Sequence, residues 1–345
     1  MAVRRCCLIL VLLLPLAAQQ PRITNAKMQT RSALAGLEKE FRALAGTAAA
    51  PAWIGYAVPV IAGRHQMCCY SHGQACGCAL EGQRSDSQSL QSGSVKLEQP
   101  GRLMVLFRVE QKSVGKIRTF SEDCELDAGG LPFHWLTEVR PPDSVALLSS
   151  FVADGEQRLS DSAVAAIALH ADAAADGALE KLAGSLQPEK VRERTAFWLG
   201  AVRGKPGYEL LRRMLRDDPS ERVRDKVVFA LSISKEPEAV GAMIDAAHND
   251  KSPHVRGQAL FWLAQKAGKQ AVSAITEAIE KDPETEVKKR AVFALSQLPK
   301  EEGVPLLIQV ARTNRNPAAR KQAIFWLGQS KDPRALSFFE EVLKR

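Results

Sequence analysis

Five cysteines in one short part of the chain are the residues best suited to chemistry. They are Cys68, Cys69, Cys76, Cys78 and Cys124, with His65 and His72 beside the first four. Thiols and imidazoles at such spacing can form disulfides, bind a soft metal such as zinc or copper, or take part in redox exchange. The rest of the chain after the first few residues contains no other cysteine.

Disulfides are the first interpretation of this group, because they compensate for the thin core of a small exported domain. Five is an odd number, so two bonds would leave one thiol free. Cys68 and Cys69 are adjacent and are not expected to bond to each other. A bond from Cys124 back to the cluster would close a long loop and would stabilise most.

Metal binding is the second interpretation, with a site at Cys68, Cys69, His72, Cys76 and Cys78. This spacing matches no standard zinc knuckle, and near-adjacent pairs are poorly placed for a tetrahedral site. Redox-active or free thiols are the third interpretation. The sequence predicts no cofactor, and the metal and redox interpretations stay open as alternatives.

Catalytic motifs are missing from the sequence. It contains no HExxH, no G-x-S-x-G and no phosphate-cradling Gly-rich loop. We therefore predict no catalytic residues, and expect a binding protein rather than an enzyme.

The first 18 residues have the parts of a signal peptide. Arg4 and Arg5 precede an apolar run, which ends in small residues at Ala17 and Ala18. The run is short for a membrane span, although an uncleaved anchor is the alternative. We expect an exported chain, periplasmic or secreted, with no membrane span after cleavage. Loss of the leader would lower the net charge of +8 by two, and an exported chain is not expected to bind nucleic acid.

Two regions follow the leader. Residues 19–50 are predicted to form an amphipathic helix and a linker, from the apolar spacing of Leu34, Leu37, Phe41 and Leu44. Residues 51–142 are predicted to form a small β-rich domain that holds the cysteines, with strands at 102–109 and 116–120.

A tripeptide recurs every 32 residues through the second half of the chain. Such a period is typical of a solenoid, in which each unit buries its apolar face against its neighbours. We therefore predict an α+β multidomain protein, whose β-rich domain is followed by an all-α solenoid over 143–345, with about six helix pairs and a terminal helix. The copies begin at Phe197, Phe229, Phe261, Phe293 and Phe325.

The repeat pattern resembles that of the HEAT-like repeats named after phycobilisome lyases. Its elements are Val-Arg-x-x-Ala-x-x-x-Leu-Gly followed by Asp-Pro-Arg-Ala, best seen from Arg320 to Leu336. The resemblance implies an α–α superhelix; the same repeat serves lyases, hydroxylases and plain scaffolds. The hydroxylases carry His-Glu pairs, whereas no histidine here precedes Glu. The segment from Ile117 to Leu136 is also similar to secreted bacterial HEAT-repeat proteins.

The phenylalanine column carries the functional prediction. At 100° per residue, Val255, Ala259 and Leu263 form the core stripe of their helix, and Phe261 lies roughly opposite. The five phenylalanines would then form an apolar ridge that binds a partner. The alternative is that the crowded helix buries these rings as well.

The helix-start arginines carry a structural prediction. Arg224, Arg256 and Lys288 are expected to pair with Asp218, Asp250 and Asp282 in a ladder of ion pairs along the stack, rather than to bind a ligand.

The predicted function is a non-enzymatic scaffold of the cell envelope that binds a protein or peptide on the concave face of the solenoid. One alternative is a metal-binding, redox or enzymatic front domain centred on Cys68 to Cys78, with the solenoid as a recruitment arm. A chromophore-lyase-like activity, implied only by the resemblance, is the other alternative. The sequence does not predict an oligomeric state.

Overall fold

A β-rich region precedes a stack of helices, as the sequence predicted. The computed structural model describes residues 21–63, 67–71, 74–81, 88–89, 101–153 and 155–344. The predicted signal peptide, His65 and His72 lie outside these ranges.

The strands of the β-rich region form one large sheet and two small ones. The large sheet has the order β2-β11-β3-β8-β9, in which β11 runs parallel to β2 and β3 while β8 runs antiparallel to β3 and β9. A second sheet has the order β1-β10-β6-β7, and β4 pairs with β5. The strands are β1 (Ile23–Thr24), β2 (Lys27–Ser32), β3 (Ala52–Pro59), β4 (Cys69–Ser71), β5 (Gln74–Cys76), β6 (Cys78–Ala79), β7 (Gln88–Ser89), β8 (Arg102–Glu110), β9 (Ser113–Ser121), β10 (Leu126–Asp127) and β11 (Pro132–Thr137).

Both faces of the large sheet are covered, which explains why β3 and β8 are apolar along most of their length. On one face, Ile54, Tyr56 and Phe107 belong to the same buried cluster as the helices. On the other face, Trp53 and Leu106 pack with the cysteine-containing small sheet. The β-rich region and the helical stack therefore share one continuous core.

The segment before β3 differs from the prediction of one amphipathic helix and a linker over 19–50. Helix α1 covers only Leu37–Thr47, and Lys27–Ser32 forms the edge strand β2 instead. The helical apolar spacing begins at Leu37, because Leu34 is 70% exposed while Leu37 is buried. Gly36, at φ 125°, separates the strand from the helix.

Among the described residues thirteen helices follow, where the sequence predicted about six pairs and a terminal helix. A 3-10 turn at Gly268–Ala271 precedes α10. Of the helices in the described ranges, none has the length and apolar character that crossing a bilayer requires. The helices are α2 (Pro141–Ala153), α3 (Gln157–Leu169), α4 (Ala173–Ala183), α5 (Glu189–Val202), α6 (Gly204–Asp217), α7 (Glu221–Ile233), α8 (Ala239–Asn249), α9 (Pro253–Ala267), α10 (Val272–Lys281), α11 (Thr285–Ser296), α12 (Lys300–Thr313), α13 (Pro317–Ser330) and α14 (Pro333–Leu343).

The helices form two layers. Helices α5, α7, α9, α11 and α13 pack closely against one another, while α4, α6, α8, α10 and α12 contact one another much less. A stack curves toward the layer in which the helices lie closer, so the odd-numbered helices form the inner layer. Val255, Ala259 and Leu263 on α9 are fully buried, which confirms the predicted core stripe.

The ion-pair ladder between successive repeats is confirmed, with a shifted register. Each arginine pairs with the aspartate of the next repeat through two hydrogen bonds, as in Arg224 Nε to Asp250 Oδ2 at 2.8 Å and Arg224 Nη2 to Asp250 Oδ1 at 3.1 Å. Arg192 therefore belongs to the ladder, and pairs with Asp218. Lys288 donates instead to backbone carbonyls at the end of α10.

Candidate binding surface and cysteine cluster

One unbroken chain of aromatic rings runs along the inner helices; we call it the aromatic ridge. Consecutive ring centroids lie 4.9–6.4 Å apart. The phenylalanines stack on each other between α5 and α7 and between α9 and α11, and tryptophans join these stacks. The ridge consists of Phe197, Trp198, Phe229, Phe261, Trp262, Phe293, Phe325 and Trp326.

Tryptophan and alanine alternate in the position after each phenylalanine, and this alternation makes the stacking possible. Ala230 and Ala294 are fully buried. Between them Trp262 has room to lie against Phe229, with ring centroids 4.9 Å apart. A large side chain next to a small one lets successive helices interdigitate without voids.

The phenylalanine side chains of the ridge are neither fully buried nor fully exposed. Four of the phenylalanines are half-buried, and Phe325 at the end of the stack is 53% exposed. Inner helices are buried over a wide arc, since they contact an outer helix and two inner neighbours. The rings occupy the remaining arc, and their outer edges stay accessible along the inner layer.

The first half of the ridge, Phe197 to Phe229 on α5 and α7, and the second half, Phe261 to Trp326 on α9, α11 and α13, have different borders. Residues three or four positions from a phenylalanine share its helix face. In the first half, Glu193 with Arg194 and Asp225 with Lys226 balance each other in charge.

In the second half, bases replace acids on one side of the ridge and amides line the other. The basic flank consists of Lys289, Arg290 and Lys321; the amide column consists of Gln265, Gln297 and Gln329, each four residues after a ridge phenylalanine. Gln265 Nε2 donates to Gln297 Oε1 at 3.3 Å. This column was not predicted, although the 32-residue spacing of its glutamines is visible in the sequence.

A cavity of about 340 Å³ opens beside the amide column, between the ends of α11 and α13 and the start of α12. Leu295, Leu298, Val304 and Leu307 give it an apolar lining. Polar groups also line it: Gln297, Gln329, Lys300 and Lys331. Trp326 lines the same cavity, and its indole N–H is buried without a hydrogen-bond partner among the described residues.

The five cysteines of the described residues form two disulfide pairs and leave one thiol. Cys68 pairs with Cys124 across 56 positions and Cys69 with Cys78 across nine, with Cα atoms 5.5 and 5.4 Å apart. Cys76 is free and buried. The two pairs touch, because Cys78 Sγ lies 3.9 Å from Cys124 Sγ.

This pairing does not fit the alternative metal site. The sulfurs of Cys68, Cys78 and Cys124 lie within 4.8 Å of one another, but all three belong to disulfides, and a metal needs thiolates. Cys124, absent from the alternative ligand set, is part of the cluster, whereas His72 lies outside the described residues.

With this geometry in place, the comparisons with known proteins concern the helical part of the chain. The family described as HEAT repeats matches residues 176–264, 241–321 and 272–345. These matches cover 176–345, and this part of the chain is a HEAT-like solenoid. Comparison with curated protein sequences gives no match.

Several solved structures are similar to the HEAT-repeat solenoid at low identity. Human deoxyhypusine hydroxylase is 21% identical over 58% of this chain and 78% of its own, with a TM-score of 0.26. Kap95p bound to RanGDP is 19% identical over 55% of this chain and 30% of its own, with a TM-score of 0.36. The CpcE–CpcF complex of phycocyanin lyase from Nostoc sp. PCC7120 is 18% identical over 58% of this chain and 80% of its own, with a TM-score of 0.31. At these values the likeness carries no argument about function.

A buried polar network joins the start of the helical stack to the sheet. Tyr56 Oη lies 2.8 Å from Ser144 Oγ, which lies 2.8 Å from His170 Nε2. Burial lowers the pKa of His170 to about 4, so the imidazole is neutral. Although a serine beside a histidine is a nucleophile–base pair in some enzymes, Ser144 and His170 are fully buried and His170 Nδ1 lies 2.7 Å from the Ala166 carbonyl. The network is therefore a structural joint.

Proposed function

We propose that this protein is a non-enzymatic scaffold of the cell envelope that binds a protein or peptide along its aromatic ridge. The observation that carries the proposal is the continuous chain of partly exposed rings along the inner helices. Aromatic side chains dominate binding interfaces, since each covers a large area and loses little conformational freedom. HEAT repeats supply a long surface for such contacts.

Two features support a place outside the cytoplasm. The first 18 residues have the charged, apolar and small-residue parts of a signal peptide. The paired cysteines are typical of an oxidising compartment. The mature chain would then be periplasmic or secreted.

The alternative functions have less support. Metal or thiol chemistry at the front of the chain would require free thiolates, and four of the five cysteines are paired. A chromophore-lyase-like activity depends on the resemblance of the repeat pattern alone.

Quantitative partner capture tests the proposal. The full mature chain is immobilised, and envelope proteins retained by wild type are compared with those retained by Phe261→Ser, Phe293→Ser and Phe325→Ser. We expect at least one partner to be retained by wild type and lost from all three variants. Leu186→Ser is the matched control, because Leu186 is 99% exposed and lies off the ridge.

Thermal unfolding of each variant separates loss of binding from loss of fold. Equal capture by wild type and by folded ridge variants would show that the ridge does not bind the partner. Loss of the same proteins from the Leu186→Ser control would show that capture reports non-specific adhesion.

A further inference from the structure

We propose that the second half of the aromatic ridge, with the adjoining cavity, is the binding site proper, and that its ligand is an extended segment with an apolar anchor residue flanked by acidic residues. This inference rests on the proposed function, and narrows it to α9, α11, α12 and α13. The asymmetry of the ridge borders leads to this assignment. Both halves carry the rings; among the described residues, the second half adds a column of glutamines, a flank on which bases outnumber acids, and a cavity that adjoins the rings.

The anchor follows from the cavity. About 340 Å³ with an apolar lining is large enough for an aliphatic or aromatic side chain, and it lies directly beside the ridge. The buried indole N–H of Trp326 has no partner among the described residues. The indole N–H of Trp198, in the first half, is equally buried and without a partner among the described residues, so the cavity rather than this donor distinguishes the second half.

An extended conformation follows from the amide column. A glutamine side chain offers two N–H donors and a carbonyl acceptor, the same groups that a peptide backbone presents. Gln265, Gln297 and Gln329 repeat these groups once per HEAT repeat along the edge of the ridge. Only a segment with free backbone groups can use all three, whereas a helix has already satisfied its own.

The acidic flanks follow from charge. Within the described ranges, the side chains of Lys300 and Lys331 at the cavity are in no ion pair, and both residues are exposed. Lys289 has one acidic partner, Glu286 at 2.9 Å, and Arg290 contacts His254 at 3.4 Å rather than a carboxylate. The second half therefore carries an excess of positive charge, which complements an acidic segment.

A peptide array tests the ligand chemistry on the full mature chain. Its probes are ten-residue peptides with a Gly/Ser background, in which all residue types are combined at two adjacent central positions. We expect the strongest binding where Leu, Ile, Phe or Met stands beside Asp or Glu. The Lys300→Glu/Lys331→Glu double variant should bind these probes about ten-fold more weakly and lose the preference for acid. Gln297→Ala/Gln329→Ala should weaken binding to all bound probes alike.

Lys235→Glu provides a matched control, because Lys235 is exposed and occupies the position of Lys331 three repeats earlier. Its affinity should equal that of wild type. A preference for basic or purely polar probes, no binding at all, or the same loss in Lys235→Glu would overturn the assignment. If the phenylalanine variants still lose the captured partner in any of those cases, the ridge function stands and only this ligand chemistry is wrong.

Discussion

The β-rich region is stabilised by contacts between residues far apart in the sequence, whereas the solenoid is stabilised by contacts between neighbouring repeats. In the large sheet, β11 pairs with β2 in a register that joins Phe133 to Met28, far apart in the chain. Cys68 and Cys124 are likewise 56 positions apart. In the solenoid, by contrast, each ladder ion pair and ring stack joins a repeat only to the next. The sheet should therefore unfold as one unit, while damage to the solenoid should stay near its repeat.

We expect the largest loss of stability from a substitution that removes one ion pair of the ladder. Arg224→Leu leaves the carboxylate of Asp250 without its partner, and the two side chains are only 2% and 5% exposed. Removing one member of a buried pair typically costs about 3–5 kcal/mol, because the other charge stays buried. Denaturant unfolding should show this loss, and hydrogen exchange should place it in α6 to α9.

Arg216→Leu is the control for that experiment. Arg216 pairs with Asp217 at 2.8 Å, but both side chains are more than half exposed, so solvent screens the pair and the change should cost much less than Arg224→Leu. An equal effect of the two substitutions would contradict the distinction between ladder and surface pairs. Faster exchange throughout the sheet in Arg224→Leu would contradict the idea of local damage.

The next effect concerns the β-rich region. Replacing Cys68 and Cys124 together by serine opens a loop of 56 positions, for which we expect a loss of about 2–4 kcal/mol. Exchange should rise across all strands of the large sheet while α9 to α13 keep their protection. Thiol titration of the denatured mature chain, which lacks Cys6 and Cys7, should find one free group, Cys76, when no reductant is present. Three free thiols in the mature chain would show that one of the two bonds is absent.

The polar network that contains His170 joins the two regions, and it should make the free energy of unfolding depend on pH. Burial lowers the pKa of His170 to about 4, against an ordinary value of 6.5; Asp172 opposes the shift and Arg203 adds to it. Between these values the unfolded chain binds a proton that the folded chain does not, so stability falls as pH falls from 6.5 to 4. The full loss is about 3 kcal/mol, and it is constant below pH 4.

His170→Gln is the matched variant, since an amide can contact Ser144 without titrating in this range. The difference in unfolding free energy between wild type and variant should shrink as pH falls from 6.5 to 4. A difference that does not change with pH would show that His170 is already protonated in the folded state or is not buried.

The contrast between contacts within neighbouring repeats and contacts between distant residues also explains which parts of the fold could be predicted from the sequence. The solenoid helices and the core position of Leu263 follow from a local period, so one repeat predicts the next. The strand β2 was missed because its partner β11 lies a hundred residues later, and nothing in Lys27–Ser32 itself indicates that pairing. Spacing alone could not fix the cysteine pairs either, because the fold decides which thiols meet.

The alignment of the rings of the candidate site could be predicted from the sequence, whereas the residues and the cavity that border the rings could not. Phe261 and its equivalents share one column, which places them on one face. The partial burial of these rings depends on Trp262 and on the alanines Ala230 and Ala294, which determine how one repeat packs against the next. The cavity beside Trp326 requires the relative positions of three helices, which no single repeat specifies.

The smallest expected effect on stability is at the end of the ridge. Phe325 is 53% exposed and contacts one ring, that of Trp326, with centroids 5.0 Å apart. Phe261 is half-buried and lies against two rings, those of Trp262 at 4.9 Å and Phe293 at 5.7 Å. Each such pair contributes about 0.5–1.5 kcal/mol beyond the area that it buries. Phe325→Ser should therefore lower the free energy of unfolding by less than about 1.5 kcal/mol, and Phe261→Ser should lower it by more. Chemical denaturation of the two variants measures the difference. A larger loss for Phe325→Ser would mean that the last ring is part of the core, and the open end of the ridge could then not serve as a binding surface.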